Sequence, residues 1–539
     1  MKNRASHILG WGVALVLGLM WPGNRLPAQS KPIQLLAARN DYPTAYYNDV
    51  WGYVDTNGLE YAVLGVQTGV AIYSLENPSA PIHRVFIPGV RSIWRDMKSF
   101  GGYLYAIADQ GREGLLVVDM RAGPERITWQ YQQPVIQGIP LLKAHNLHID
   151  EKGRLCLSGS NLNNGGVVLF DVATAPGLAR FLGFGPNRYS HDCVARGDTL
   201  WSADVYLGEF SVVDIRDPAS PQLLATFPTG RRFTHNCWLS ADGKTLFTTD
   251  EVAQGQVESY DVSNLDDIRK LDGFLPPTAR EARAIPHNVH VHEGFLVTSW
   301  YTEGLVILDA HLPEILVETE RYGTYTGGAS GFAGCWGAFP FLPSGVVLAS
   351  DIETGLYVLA PTYSRAAYIK GQVADAESGV PIAGARVSSR AGLEENSDSD
   401  GLFKGGVATD LKDVVWVQAV GYLADSVVVR WQPGVVQEVT VKLKKETVTG
   451  LISSESLSKS GLKAYPNPSS GAVRLTVSAG EVAVAGRLVI RDTTGRQWHA
   501  IRLEKGWSYL DLELASGVYI AGWFGDGMTP AFQTIVVHP

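Results

Sequence analysis

At 539 residues the chain exceeds one ordinary domain, and its length points to roughly three or four units. Aromatic residues make up 10%, glycine numbers 58 and charged residues only 18%, which suits a packed β protein rather than a helical or disordered chain. The formal net charge of -9 is mild for this size, and no basic tract is present, which argues against nucleic acid as a partner.

The chain opens with Lys2 and Arg4, then an apolar run from Ile8 to Trp21, then small residues around Ala28 and Ser30. This pattern predicts a secretory signal peptide over residues 1–30, the run being short for a membrane anchor. No later stretch reaches about 18 apolar residues, so no transmembrane segment is expected after signal removal.

From about residue 35 to 362 the sequence repeats. YNDVWG (47–52), WRDMKS (94–99), AHNLHID (144–150), SHDCVA (190–195), THNCWLS (234–240), PHNVHVH (286–292) and AGCWGAF (333–339) are copies of one motif. Each is followed by a short strand such as LYAIAD (104–109) or LFTTDE (246–251). A turn and an apolar strand come next: TGVAIYS (68–74), EGLLVVD (113–119), GGVVLFD (165–171), GEFSVVD (208–214), GQVESYD (255–261), EGLVILD (303–309) and TGLYVLA (354–360). In most copies a Pro-containing turn and a fourth strand complete the unit. Such a unit cannot bury both sheet faces alone, but a ring of them can. The expected fold is all-β, a seven-bladed β-propeller over 35–362; a linear solenoid fits less well because its repeats are shorter and more uniform.

The Gly-led apolar strand ending in Asp resembles the LVIVD-type repeat. The run from YYNDVWGY to GLYVLAP resembles the bacterial choice-of-anchor B family. That resemblance implies a propeller and no known reaction.

Aligning the first motif puts Val50, Met97, Leu147, Cys193, Cys237, Val289 and Cys335 in one column. Three cysteines thus stand at an apolar packing position, with Cys156 in the second strand of its own unit. Free Cys behaves there as a small hydrophobe, and equivalent positions in neighbouring blades stand too far apart for a disulfide, so none is expected.

After Pro361 the pattern changes. Residues 366–443 carry alternating strands whose G-x-V-x-D, D-x-D-G-x-F and GY signals resemble a carboxypeptidase regulatory-like domain, which implies an Ig- or transthyretin-like sandwich without a catalytic site. SDSDG (397–401) reads as a turn, since it lacks the remaining ligands of a calcium loop. Residues 444–461 are a polar, Ser-rich linker. Residues 462–539 open with Tyr465, Pro466, Asn467 and Pro468, and with the later D-x-x-G turn and SGVYI strand resemble a type IX secretion C-terminal sorting domain. The resemblance implies a second small sandwich and a partner in the type IX secretion machinery. It further implies passage through the periplasm to the outer-membrane surface or beyond, with attachment to surface polysaccharide or release.

His145, His191, His235 and His287 share one repeat position, each followed by Asn or Asp: Asn146, Asp192, Asn236 and Asn288. The first strand of a blade runs nearest the axis, so these eight residues are the candidate ligand-binding set of the channel. Asp109, Asp204, Asp250, Glu251, Glu303, Asp351 and Glu353 recur before the third strand. His145, His148, His191, His235, His287 and His290, with Asp204 and Asp250, are the candidate ligands of a divalent metal, the one cofactor this pattern admits. A structural account competes: a polar residue repeated around a ring also serves hydrogen bonding between blades. The strand-ending Asp119, Asp171, Asp214, Asp261 and Asp309 read as turn formers. Trp51, Trp94, Trp238, Trp300, Tyr301 and Trp336 are candidates for a carbohydrate or peptide surface, or for blade packing. No GxSxG elbow, P-loop or dinucleotide fingerprint is present. These features favour a protein that binds a glycan, peptide or protein ligand over an enzyme. The alternatives are a metal-dependent hydrolase with its site in the channel and a structural surface component.

Overall fold

The computed structural model describes residues 30–277, 284–327, 331–446, 462–465, 467, 469, 472–477, 486–492, 497–503, 509–525 and 531–537. The expected signal peptide, most of the expected linker, Pro466 and Pro468 lie outside the described residues. The described residues are predominantly strand, so the chain is all-β. No helix among them is long and apolar enough to cross a membrane. The chain divides into two compact units.

The first unit comprises residues up to 373 with 381–417 and 426–441. Its larger part is a succession of antiparallel four-stranded sheets in which each strand pairs with the next in sequence. Their first strands are Tyr47–Val54, Arg95–Phe100, Asn146–Ile149, Asp192–Arg196, Thr234–Leu239, Val289–His292 and Cys335–Phe339. Each of these strands packs against its counterparts in the neighbouring sheets, and Cys335–Phe339 returns to Tyr47–Val54, so the sheets close a ring. This is a β-propeller.

Closure uses the two ends of the repeat region. The last sheet draws its fourth strand from Gln34–Arg39, antiparallel to Gly355–Ala360, and Lys31–Pro32 adds in parallel to the preceding sheet at Glu320 and Arg321. Burial grades outward from the axis. Strands such as Glu60–Val66 and Gly304–Asp309 are buried throughout, whereas fourth strands such as Gln222–Pro228 are largely exposed. The apolar column packs between sheets: Met97 lies with Tyr61 and Val63, and Val289 with Phe247 and Leu296. Each fully buried Val, Leu or Met there contributes about 1.5–3 kcal/mol.

The repeated glycine has a steric cause. At Gly304 (φ 85°) a Cβ would stand 2.1 Å from the Tyr322 carbonyl oxygen, and at Gly355 (φ 93°) 2.3 Å from that of Arg39. The third strand therefore begins in the left-handed region and directly against the fourth, which only glycine allows without strain. The strand-ending aspartates form turns. Asp119, Asp171, Asp214, Asp261 and Asp309 each accept a hydrogen bond from the backbone N–H two residues on, at 2.8–3.0 Å. Asp309 also receives Arg365 Nε at 3.0 Å and the Ala366 N–H at 2.7 Å.

All four cysteines are free thiols and buried. Cys156 and Cys193, from adjacent sheets, share one apolar cluster; Cys156 Sγ lies 3.9 Å from the Arg154 carbonyl, and the neighbouring Cys193 thiol together with burial pushes the Cys156 thiol up.

Residues 367–443 supply a sheet of Leu402–Val407, Ala367–Asp375 and Val436–Leu443, and another of Glu394–Asn396, Arg386–Ser389, Leu411–Gln418 and Asp425–Trp431. SDSDG forms a turn there, with Asp398 Oδ1 accepting from the N–H groups of Asp400 and Leu402 at 2.9 and 2.8 Å. The second unit takes in 374–380, 418–425 and 442–539. Its described strands form a three-stranded and a four-stranded sheet over a core that includes Leu462, Leu488, Ile490, Trp523 and Ile535. Asn467 is tied to the last strand, donating to the Thr534 carbonyl at 2.5 Å and accepting from the Val536 N–H at 2.8 Å.

Candidate functional site

Strand alternation fixes which loops share an end of the ring. The chain enters each first strand at the same end where second strands turn into third strands. The repeated histidines stand at that entry, and so does Glu251, in the turn after Thr245–Asp250. The ring thereby gathers residues that are 44 to 52 apart in sequence at one channel mouth.

His145, His191, His235 and His287 form a continuous arc. Their ring centroids are 4.1, 4.3 and 4.5 Å apart in turn. Trp94 flanks the arc at 6.3 Å from His145, and Trp336 and Tyr301 stand 4.9 and 5.1 Å from His287. The Nδ1 atoms point along the ring into neighbouring structure. His145 Nδ1 is 3.0 Å from Asp109 Oδ2, His235 Nδ1 is 3.1 Å from the His287 carbonyl and His287 Nδ1 is 2.6 Å from the Trp336 carbonyl. The His191 Nδ1 is buried and makes no well-formed hydrogen bond among the described residues.

The Nε2 atoms of His235 and His287 face Glu251. Its Oε2 is 3.5 Å from His235 Nε2 and its Oε1 is 3.9 Å from His287 Nε2. Tyr301 donates its hydroxyl to Oε1 at 2.6 Å. One ligand atom from each of His191, His235 and Glu251 lies within 4.8 Å of the other two. Burial, reinforced by the adjacent imidazoles, lowers His235 and His287 to about 3 and holds His191 well below the ordinary histidine range. Burial also raises the Glu251 carboxyl, against the pull of His287 and the Tyr301 hydroxyl. These imidazoles are therefore neutral near pH 7, the form in which histidine ligates metals.

The Asp/Asn column binds sheet to sheet. Asn236 Nδ2 donates to Asp192 Oδ2 at 2.6 Å, and Asn236 Oδ1 accepts the Val289 N–H at 2.9 Å. Burial raises Asp192 to about 6. Asn146 is half-buried, and Asn288 takes its own N–H to Ser299 Oγ at 3.1 Å.

Further along the channel, a lysine and a plug of aromatic rings take over. Lys98 Nζ lies 2.5 Å from Asp96, 3.9 Å from Asp49 and 4.3 Å from the centre of the Trp51 ring. Burial alone pulls the ammonium down, but Asp96 and Asp49 outweigh it. His148 and His290 belong to this region and not to the arc. Both flank Trp238, at 5.9 and 4.7 Å, and Phe341 stacks on Trp238 at 5.6 Å. His148 Nε2 is 3.0 Å from the Ala195 carbonyl. Asp204 and Asp250 are not brought to the arc either. Arg188 and Ser202 hold Asp204 at 2.7 Å each, and Thr229 Oγ1 and the Arg231 N–H hold Asp250 at 2.5 Å each.

Glu251, Tyr301 and Trp336 complete the mouth. The sequence signal for Glu251 is a second acidic residue directly after the repeated Asp250, in LFTTDE. In the plug, Trp51 and Trp238 are among the aromatic candidates of the sequence, whereas Phe339 and Phe341 have no comparable signal.

No protein-family model and no curated protein sequence matches the chain. Among solved structures, the β-propeller domain of Cps50 (Swd1) from Myceliophteria thermophila is similar at 13% identity and a TM-score of 0.42, covering 61% of this chain and 99% of that one. The computationally designed Ika8 protein is similar at 12% identity and a TM-score of 0.41, covering 61% of this chain and all of its own.

Proposed function

We propose that the protein is an exported, seven-bladed propeller of LVIVD-type repeats that binds a ligand across the histidine-lined mouth of its channel. One observation carries the reading: the mouth joins an arc of four imidazoles to exposed aromatic rings on the loops at the same end. Tyr206 is 78% exposed in the turn after Thr199–Asp204, and Phe332, 61% exposed, packs edge-on to Tyr301 at 5.3 Å. Exposed rings beside convergent polar groups suit the faces of sugar rings or aromatic peptide side chains.

Glycan and peptide arrays probed with the chain from residue 31 onward test this. Binding that Tyr206→Ala and Phe332→Ala together reduce at least tenfold supports the mouth as the ligand face. Binding that both leave unchanged places the ligand elsewhere and sinks the reading.

Export rests on the N-terminal pattern and on the YPNP-led C-terminal segment. On that reading residues 366–443 are an Ig-like spacer, residues 444–461 a linker and residues 462–539 a type IX sorting domain removed at the cell surface. Mass spectrometry of surface or secreted protein should find an N-terminus near residue 31 and a C-terminus within 444–461; an intact C-terminus would count against removal.

A metal-dependent hydrolase at the same mouth is the second reading, favoured by the closeness of His191, His235 and Glu251. It requires a bound cation to activate water.

A further inference from the structure

Among the described residues, the mouth sets two imidazole nitrogens opposite a carboxylate whose Oε1 is held by the Tyr301 hydroxyl. Carbonyls only accept, so the Nδ1 atoms of His235 and His287 carry ring protons. The Nε2 atoms of His235 and His287 are then lone pairs. They point at Glu251, whose oxygens are lone pairs as well, at 3.5 and 3.9 Å, beyond the usual hydrogen-bond length. The buried His191 Nδ1 makes no well-formed hydrogen bond among the described residues, although the His235 backbone lies beside it.

We propose that His191, His235 and Glu251 bind one divalent first-row transition cation at the channel mouth, with His145 and His287 flanking it. A cation turns each opposed lone pair into a ligand. The bonds from Nδ1 to the carbonyls of His287 and Trp336 are the partners that orient metal-binding imidazoles, since such rings usually give their other N–H to a carbonyl or carboxylate. An imidazole bound at about 2.1 Å has its centroid about 3.2 Å from the metal, so two rings stand about 4.5 Å apart at an octahedral angle and about 5.2 Å apart at a tetrahedral one. The His191 and His235 centroids, 4.3 Å apart, match the octahedral value. Two nitrogens and one carboxylate select zinc, iron(II), cobalt(II) or nickel(II) over calcium or magnesium, which take oxygen ligands. Tyr301, donating to Glu251 Oε1, leaves Oε2 to the cation.

The inference goes beyond ligand binding at the mouth and can fail separately from it, because metal is titrated here without any ligand. The full mature chain, stripped with EDTA and dialysed, is titrated with zinc by calorimetry and with cobalt by visible absorption. The expected result is one ion per chain and a cobalt spectrum with nitrogen and oxygen ligands. Glu251→Gln and His235→Ala should each weaken binding at least about 100-fold, while His148→Ala in the plug leaves it unchanged. Glu251→Gln is nearly isosteric, and unfolding midpoints measured alongside separate metal loss from misfolding. No stoichiometric ion, or affinity unaltered by both variants, overturns the proposal; Glu251 then meets His235 through a proton instead.

Discussion

The two regions of the channel bury histidines to a similar depth but surround them differently. In the plug, His148 has the Ala195 carbonyl and the Trp238 ring, and the lone lysine has two aspartates. Opposite charges meet, and aromatic faces fill the space. At the mouth, the buried His235 and His287 meet a carboxylate with their unprotonated nitrogens, at the end whose loops carry exposed aromatics. Burial alone therefore does not mark a site. What differs is the carboxylate: at the mouth two imidazole nitrogens converge on Glu251, whereas the plug's His290 Nδ1 is buried without a partner among the described residues.

Acid should produce the largest effect, and it acts on both regions. His235, His287 and His290 are lowered to about 3, first by burial. The unfolded chain takes up their protons near pH 6.5 while the folded chain refuses them until about 3, so stability falls as pH drops through that window. Each group contributes about 1.4 kcal/mol per pH unit. Asp192, raised to about 6, works the other way. Its folded form takes a proton first as pH falls from 6 toward 4, offsetting one histidine. Urea midpoints at pH 7, 5.5 and 4.5 should decline together, and His290→Gln should flatten the decline by one proton; a flat wild-type profile would break the comparison.

The next effect separates the regions. Lys98→Met leaves Asp96 and Asp49 buried without their cation and should cost about 3–5 kcal/mol, read as a shift in the denaturant midpoint. A shift below about 1 kcal/mol would mean that water already solvates the plug. Zinc should act only on the mouth. At 100 times its dissociation constant it should stabilise the wild type by about 2.7 kcal/mol and leave Glu251→Gln unmoved. The smallest effect on stability is expected at Tyr206→Ala, within about 0.5 kcal/mol of wild type, because the ring is exposed. Its consequence should appear in ligand binding alone.

Much of this arrangement is legible in the repeat. His145, His191, His235 and His287 fall at one position of the motif, and one position in a ring is one height along the axis. The apolar column of Val50, Met97, Leu147, Cys193, Cys237, Val289 and Cys335 marks the packing face for the same reason. Whether the histidines face the channel or the next sheet is not legible, because both faces of a blade strand pack. For His235 and His287 the structure shows that each ring does both, with Nδ1 bonded to the next sheet and Nε2 turned to Glu251. Periodicity also cannot show which neighbour captures a carboxylate. Asp204 and Asp250 occupy a repeated position, but Arg188, Ser202, Thr229 and the Arg231 N–H take them away from the arc. The thiol contact between Cys156 and Cys193 escapes the repeat too, since it joins a second strand to a first strand rather than two equivalent positions.

The strand Gln34–Arg39 pairs with Gly355–Ala360 across more than three hundred residues. A chain made from its N-terminus produces this strand early and must wait for its partner until almost the whole repeat region has followed. The ring can then shut only as a late event, and contacts of such long sequence separation form slowly. Until that moment Gln34–Arg39 lacks its partner strand. The latch thus makes closure of the ring, rather than the pairing within any one sheet, the slow step.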